Sequence, residues 1–418
     1  MDGTPHESAA PLPTQSVAAL LPEEILDLVF ARFDLKHSAE EAHKDRAERV
    51  SNLSNMSVIA EGWTRPARRL LFRRVTIWSW SHVQEEVEEG LGKHVRDLDI
   101  NGEYWHAVTS REAAGAVFRL LKQLPNPRRL RLVDLRFDSF DPADSSSMQA
   151  TALLPHLHDL NISNIPFPHS LIFDLLATSG HRIDRLTVQS DSALLASPVP
   201  YRQLDFRGKL RFLSTGAEFY RTLMDPRLVA LEGLRGLEEL QLQGIDVESK
   251  EGGEEMYGVI GPTLNALAID SDDVTWFVKL VHLFCNLSRL SIAGLYSNSD
   301  PDSTPLLRCL PLSLSSLRLG TDVCLGPALA RWIAAPSLVP ARLKQIQIDN
   351  IYEFETYQQL PPVPTLRTNF HSITLNHLQQ LNPATVPFKT LEMWFFAEDL
   401  NRRSEVEAEC QRLGVKFR

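Results

Sequence analysis

The sequence predicts an α/β fold: a curved solenoid with parallel strands inside and helices outside, preceded by a small helical module. Three observations carry this. A six-residue apolar pattern recurs at a nearly constant interval over most of the chain. The stretches between copies carry apolar residues three and four apart, the spacing of a helix face. The first 75 residues lack the pattern and hold helix-like apolar segments instead.

The recurring unit is apolar, two variable, apolar, one variable, apolar. It reads Val95-Arg-Asp-Leu98-Asp-Ile100, then returns at Leu157 to Ile162, Ile183 to Val188 and Leu237 to Leu242. Further copies run from Leu264 to Ile269, Leu287 to Ile292, Leu314 to Leu319 and Leu343 to Ile348. Weaker copies sit at Leu130 to Leu132, Leu210 to Leu213, Phe370 to Leu375 and Phe388 to Met393. The central apolar position, from Leu98 to Ile373, recurs about every 27 residues, within the range of a strand-plus-helix repeat. An alternating pair such as Leu240 and Leu242 points to one side of a short strand. Ser170 to Ala177 and Val274 to Phe284 read as helices between strands. No unit of this size buries its own apolar face, so neighbours must stack.

Residues 76–418 therefore resemble the leucine-rich-repeat proteins, with about 12 repeats. One place departs from that family. Where it often carries a buried Asn or Cys, this chain has Leu135, Ile165, Ile245, Leu295, Ile351 and Leu378. Apolar packing of that turn is the expectation. Asp138 to Ser147, Ser297 to Thr304 and Gln358 to Pro364 read as loops, being rich in Pro, Ser or Asp. Glu248 to Glu255 reads as a polar loop at the rim, and residues 1–19 as a disordered tail.

The segment 20–75 opens with Leu21-Pro22-Glu23-Glu24-Ile25. Pro22 suits a first helical turn, and the two glutamates suit the positive end of the helix dipole. Leu21, Ile25, Leu26, Leu28, Val29, Phe30 and Phe33 cover an arc of about 200°, wider than one core contact needs. A second segment carries Val50, Leu53, Met56, Ala60 and Trp63. A third, Ala67 to Val75, follows Pro66. In Leu21-Pro22-x-Glu24-Ile25, Phe30, Leu53, Trp63 and Leu71-Phe72 the chain resembles the F-box. That resemblance implies docking on a Skp-type adaptor of a cullin ubiquitin ligase, with Leu21, Pro22, Ile25, Leu28 and Val29 as the adaptor-contacting residues. The plainer reading of the same helices is a cap over the open edge of the first repeat.

Of the 418 residues, 43% are hydrophobic and 23% charged, ordinary for a globular protein. The formal net charge of -10 argues against a nucleic-acid partner, which needs a basic face. Four scattered cysteines with no Cys-x-x-Cys pair suit a reducing compartment and offer no zinc framework. Cys285 and Cys309 read as small core residues. There is no signal-peptide pattern and no apolar run of about 18 residues, so the expected location is cytoplasmic or nuclear, with no membrane partner. No phosphate loop, nucleophile elbow or paired-histidine zinc motif is present. The 13 histidines are scattered and read as surface residues. The expectation is thus a non-enzyme without cofactor or metal.

What remains is the strand side opposite the apolar pairs. Its central residues read Asp99, Arg131, Asn161, Thr187, Ser214, Gln241, Ala268, Ser291, Arg318, Gln347, Thr374 and Glu392. Asp97, Arg185, Glu239, Arg289, Gln345 and Trp394 flank them. Arginines and aromatics dominate interface energies, so Arg131, Arg185, Arg289, Arg318 and Trp394 are the candidate anchors for a protein substrate. The leading expectation is a ligase substrate receptor. A repeat scaffold without ligase role is the alternative. A repeat regulator of Ran-type GTPases fits less well, because Glu405 to Arg418 is mixed in charge rather than acidic.

Overall fold

The structure is a computed structural model. It describes residues 72–77, 92–103, 126–135, 154–165, 170–189, 203–244, 253–270, 275–293, 309–320, 340–348, 363–369, 374–384, 388–395 and 397–418, with a few isolated positions between. Among the described residues, fourteen strands form one open sheet in strict sequence order. The first five are β1 (Arg74–Ile77), β2 (Asp97–Asn101), β3 (Arg129–Val133), β4 (Asp159–Ser163) and β5 (Arg185–Gln189). Next come β6 (Phe212–Gly216), β7 (Glu239–Gln243), β8 (Ala266–Asp270), β9 (Arg289–Ala293) and β10 (Ser316–Leu319). The last four are β11 (Gln345–Ile348), β12 (Val363–Asn369), β13 (Phe388–Trp394) and β14 (Lys416–Phe417). Every neighbouring pair is parallel. This is an α/β solenoid of leucine-rich-repeat type.

Register follows the apolar pattern. Leu98 pairs with Leu130, Leu130 with Leu160, and Leu160 with Leu186. Each of these leucines is 0 or 1% exposed. A slip of one residue would turn every such side chain to water, so the pattern holds the register. The helices include α1 (Ser170–Ser179), α2 (Ala217–Leu223), α3 (Gly253–Ile260) and α4 (Thr275–Leu280). They close the apolar side of the sheet with large side chains. Phe173, Phe206, Phe219, Tyr257, Phe277 and Phe284 are fully buried. Tyr257 stacks on Trp276 at 5.1 Å, and its hydroxyl meets that of Tyr220 at 2.9 Å. A buried phenol needs such a partner.

A main-chain ladder ties the strand entrances. The Arg96 carbonyl accepts from the N–H groups of Arg128 and Arg129, at 2.6 and 3.0 Å. The same double acceptance recurs at the carbonyls of Arg128, His158, Asp184, Arg211, Glu238, Asn265, Ser288 and Ser315. Each oxygen uses both lone pairs. Both N–H donors at each step are backbone groups, which explains why the side chains there vary from Arg to Asp to Ser; the Ser288 and Ser315 hydroxyls add to the Asn265 and Ser288 carbonyls. At the strand exits, Asp134, Asn164 and Gly244 take left-handed conformations (φ 53°, 54° and 57°). Asn, Asp and Gly tolerate that region best. Leu135 and Ile165, one residue further, are each 1% exposed, so the apolar packing expected of this turn is present there.

Several expectations are corrected. Of the repeat placed at Phe370 to Leu375, residues 370–373 lie outside the described residues, and Leu375 begins a helix. The strand is β12, with Leu366 between Ile346 and Leu391. Thr374 instead caps helix α5 (Leu375–Gln380), with the His377 ring facing its backbone N–H at 3.2 Å. Val363 and Pro364, read as loop, belong to β12. The register pairs Val363 and Thr365 with β13 and skips Pro364, which has no N–H to donate. Gly253 to Glu255, also read as loop, begin α3, where the two glutamates favour the helix start. Cys285 is exposed and Cys309 half-buried, so neither is the core residue expected; Cys410 is buried. β1 takes in Arg74 and Val75, the last two residues of the N-terminal segment. The remaining loops read from composition, residues 1–19 and nearly all of 20–71 lie outside the described residues.

The chain closes on helix α6 (Arg403–Arg412) and β14. The Arg412 guanidinium donates to the carbonyls of Leu378, Gln379 and Leu381 at 3.0, 3.4 and 3.4 Å. It thereby satisfies the open end of α5 from a neighbouring helix.

Two outcomes follow. Leu240→Ala, at a fully buried central strand, lowers unfolding stability by about 2–5 kcal/mol in urea titration, while Thr187→Ala changes it by less than about 0.5. Burial pushes the Cys309 and Cys410 thiols up to about 11, so roughly a thousandth of each is thiolate at pH 8. Peptide mass spectrometry after iodoacetamide treatment at that pH therefore finds Cys285 alkylated well before Cys309 or Cys410.

Candidate interaction surface

The strand residues that alternate with the buried pairs project from the other side of the sheet. β2, β4 and β7 show the pattern plainly, with two buried residues flanked by partly exposed polar ones. Because adjacent strands are in register, these polar residues form rows across the sheet, about 4.8 Å apart.

Along β1–β5 the rows are built from ion pairs. Arg74 meets Asp97 at 3.0 Å, Arg131 meets Asp99 at 3.5 Å, and Arg129 meets Asp159 at 2.8 Å. Each pair joins neighbouring strands. Partly exposed pairs of this kind contribute about 0–1 kcal/mol each, so they orient the arginines more than they stabilise the fold.

From β4 to β9 the central row is uncharged: Asn161, Thr187, Ser214, Gln241, Ala268 and Ser291. Gln189 donates to Gln243 at 2.9 Å across β6, where Gly216 leaves room. Ser214 is only 2% exposed, and its Oγ has no hydrogen-bond partner. Charged groups flank this stretch. The Arg185 guanidinium lies 4.1 Å from the centre of the Phe212 ring. Arg289 reaches two strands back to Glu239 at 3.4 Å, passing over Ala266.

From β10 to β14 the character changes. The central row reads Arg318, Gln347, Arg367 and Glu392, and ends at Arg418, just past β14. Arg367 donates to Glu392; with the Gln345 amide turned so that its oxygen faces the guanidinium, that oxygen accepts from Nε and Nη1 at 3.1 and 3.2 Å. Arg418 approaches the same carboxylate at 3.5 Å. Gln347, Arg367, Glu392, Met393, Trp394 and Arg418 line a surface hollow of ≈ 430 Å³. Trp394 is 39% exposed at its edge.

The five candidate anchors thus do not converge. Arg131, Arg185, Arg289, Arg318 and Trp394 lie on β3, β5, β9, β10 and β13, spread along the sheet. The first three are held by Asp99, Phe212 and Glu239. The candidate adaptor contacts Leu21, Pro22, Ile25, Leu28 and Val29 lie outside the described residues.

Thr374, read as a member of the central row, is a helix cap; Arg367 holds that register position. The signal was present: Leu366-Arg-Thr follows a Pro-rich stretch, and Thr374-Leu-Asn-His377 has the spacing of a capping box. Arg418 was missed because β14 has only two residues, too few to show a pattern.

No family model and no curated protein matches the chain. Among solved structures, the complex of Rad7 and Elc1 in yeast matches over 94% of this chain and 92% of that one, at 15% identity and a TM-score of 0.42. The leucine-rich repeat-containing protein LegL7 from Legionella pneumophila matches over 82% of this chain and 97% of its own, at 12% identity and a TM-score of 0.42.

The exposed pairs generate one expectation. Arg131→Gln changes the unfolding free energy from urea titration by no more than about 0.5 kcal/mol, whereas Leu130→Ala on the same strand costs about 2–5 kcal/mol. A large loss from Arg131→Gln would mean that the polar side of the sheet is a structural element rather than a free surface.

Proposed function

We propose that this chain is a non-catalytic protein-recognition adaptor, holding a partner protein on its polar strand rows. The observation that carries this reading is the extent of that surface. Fourteen in-register strands present about 60 Å of polar side chains whose removal leaves the core untouched. Rows of this length suit a protein partner better than a small molecule, which calls for a concave, largely apolar site. Mixed charge with interspersed arginines and an exposed tryptophan is the composition of a recognition surface.

The finer reading is a substrate receptor of a Skp–cullin–F-box ubiquitin ligase, working in the cytoplasm or nucleus. Its support is the sequence of the first segment: Leu21-Pro22-x-Glu24-Ile25, Phe30, Leu53, Trp63 and Leu71-Phe72, with an apolar arc too wide for one contact. Leu21, Pro22, Ile25, Leu28 and Val29 would then face a Skp-type adaptor. One observation favours the scaffold alternative. Ala67, at the end of that segment, is 0% exposed, and β1 follows within a few residues. A buried residue seven positions before the first strand suits a cap for the sheet edge.

The discriminating experiment is affinity purification of the tagged full chain, followed by mass spectrometry. A Skp-type adaptor co-purifies with the unaltered chain. Ile25→Asp with Val29→Asp reduces its recovery at least tenfold, because two carboxylates in an apolar contact are costly to desolvate. Undiminished adaptor in the double variant defeats the docking reading. Absence of adaptor from both preparations leaves the scaffold.

A further inference from the structure

Asn101, the last residue of β2, is followed by Gly102, and no other asparagine in the chain precedes a glycine. Such a pair is prone to cyclise, because glycine has no side chain to obstruct its own nitrogen. In that reaction the Gly102 nitrogen attacks Asn101 Cγ. The new C–N bond closes a succinimide ring, the Cγ–Nδ2 bond breaks, and ammonia leaves with the proton from the Gly102 N–H. Water then opens the ring at either carbonyl. One product is aspartate at 101. The other is isoaspartate, in which the main chain runs through Cβ and Cγ.

The fold holds both reacting groups away from this step. The Gly102 N–H donates to the Val133 carbonyl at 2.9 Å, carrying the β2–β3 pairing one residue beyond the strand. Turning that nitrogen toward Cγ would break a hydrogen bond at a buried position. The Asn101 side chain is held as well, its Oδ1 accepting from the Glu103 N–H at 2.9 Å. Gly102 is closely packed: a Cβ added to it would lie 2.7 Å from both the Asp134 carbonyl oxygen and Leu135 Cδ2. We infer that Asn101-Gly102 is a deamidation site gated by the β2–β3 seam, closed while Leu98 and Ile100 pair with Leu130 and Leu132 and released when those strands part. The opening that frees it is local, because each repeat is bound to its neighbours alone. Isoaspartate lengthens the backbone by one bond, about 1.5 Å, where Gly102 has no room for a single added carbon. A seam that has cyclised and opened to isoaspartate does not reseal in its original register. The aspartyl product does, since its side-chain oxygen still accepts from Glu103. The seam thus records its own openings in covalent form. This is a property of the chain itself and does not depend on the partner-binding reading.

Mass spectrometry of the aged full chain tests this. The chain is kept at pH 7.4 and 37 °C, native and in guanidinium chloride, and then digested briefly with trypsin. Peptide 97–111 is followed for the mass gain of amide to acid, and chromatography separates its aspartyl and isoaspartyl forms. Deamidation in the native chain runs at least about tenfold slower than in the denatured chain. Leu130→Ala, which loosens the seam, accelerates native deamidation at least about tenfold, and Leu240→Ala, the same truncation at β7, accelerates it less. Should Leu130→Ala fail to fold, the unaltered chain gives the same reading: its deamidation quickens in guanidinium concentrations below the unfolding transition. When aged, denatured chains are refolded, the protease-resistant fraction loses isoaspartate at 101 and keeps aspartate. Equal rates in native and denatured chains, no acceleration by a loosened seam, equal acceleration by the two variants, or isoaspartyl chains that refold as completely as aspartyl ones each overturns the inference.

Discussion

The structure depends on the inability of one repeat to bury its own apolar strand pair. Leu98 and Ile100 are buried in one continuous core with Leu130 and Leu132, which stack beside them from the next strand. The next repeat stands in the same need, and so the sheet extends in sequence order. The carbonyl ladder at the strand entrances acts in the same direction. Each oxygen from Arg96 to Ser315 takes both of its donors from the following repeat. Burial and hydrogen bonding are therefore both nearest-neighbour terms, and stability accumulates along one dimension.

This arrangement divides the labour of the side chains. Register, burial and main-chain bonding are settled on the apolar side of each strand and at its two ends. The opposite positions answer only to cross-strand neighbours, at contributions below about 1 kcal/mol. They are free to vary, and they do: acid–base pairs at one end, amides and hydroxyls in the middle, arginines at the other. A surface released from structural duty in this way can be shaped for a partner without cost to the core.

The last repeats show how irregular spacing is absorbed. β12 follows β11 after a short connection and includes a proline, yet Leu366 still takes its place between Ile346 and Leu391. Leu375–Gln380 form helix α5 rather than strand, capped by Thr374 at one end and by Arg412 from α6 at the other. The same shift carries Arg367 into the row beside Glu392 and so forms one wall of the hollow. Site and fold are joined here through one register choice.

Much of this was legible from residue order. The apolar pattern located eleven of the fourteen strands, β2–β11 and β13, within a residue or two of their observed positions, along with the inward pairs and the helical stretches at Ser170 and Thr275. Such features are local, because periods of two and of 3.6 leave their mark in a short window. The sequence alone also established the polar character of the opposite face. The tertiary structure decided what local pattern cannot carry. It placed Arg367 instead of Thr374 in the central row, because Leu366 had to meet Ile346 across the sheet. It gave the two-residue strand β14 a place beside β13, and with it brought Arg418 to Glu392 from a position 26 residues away. Spacing shows where a strand is able to form; which competing segment becomes one is decided by the neighbour that covers its apolar side.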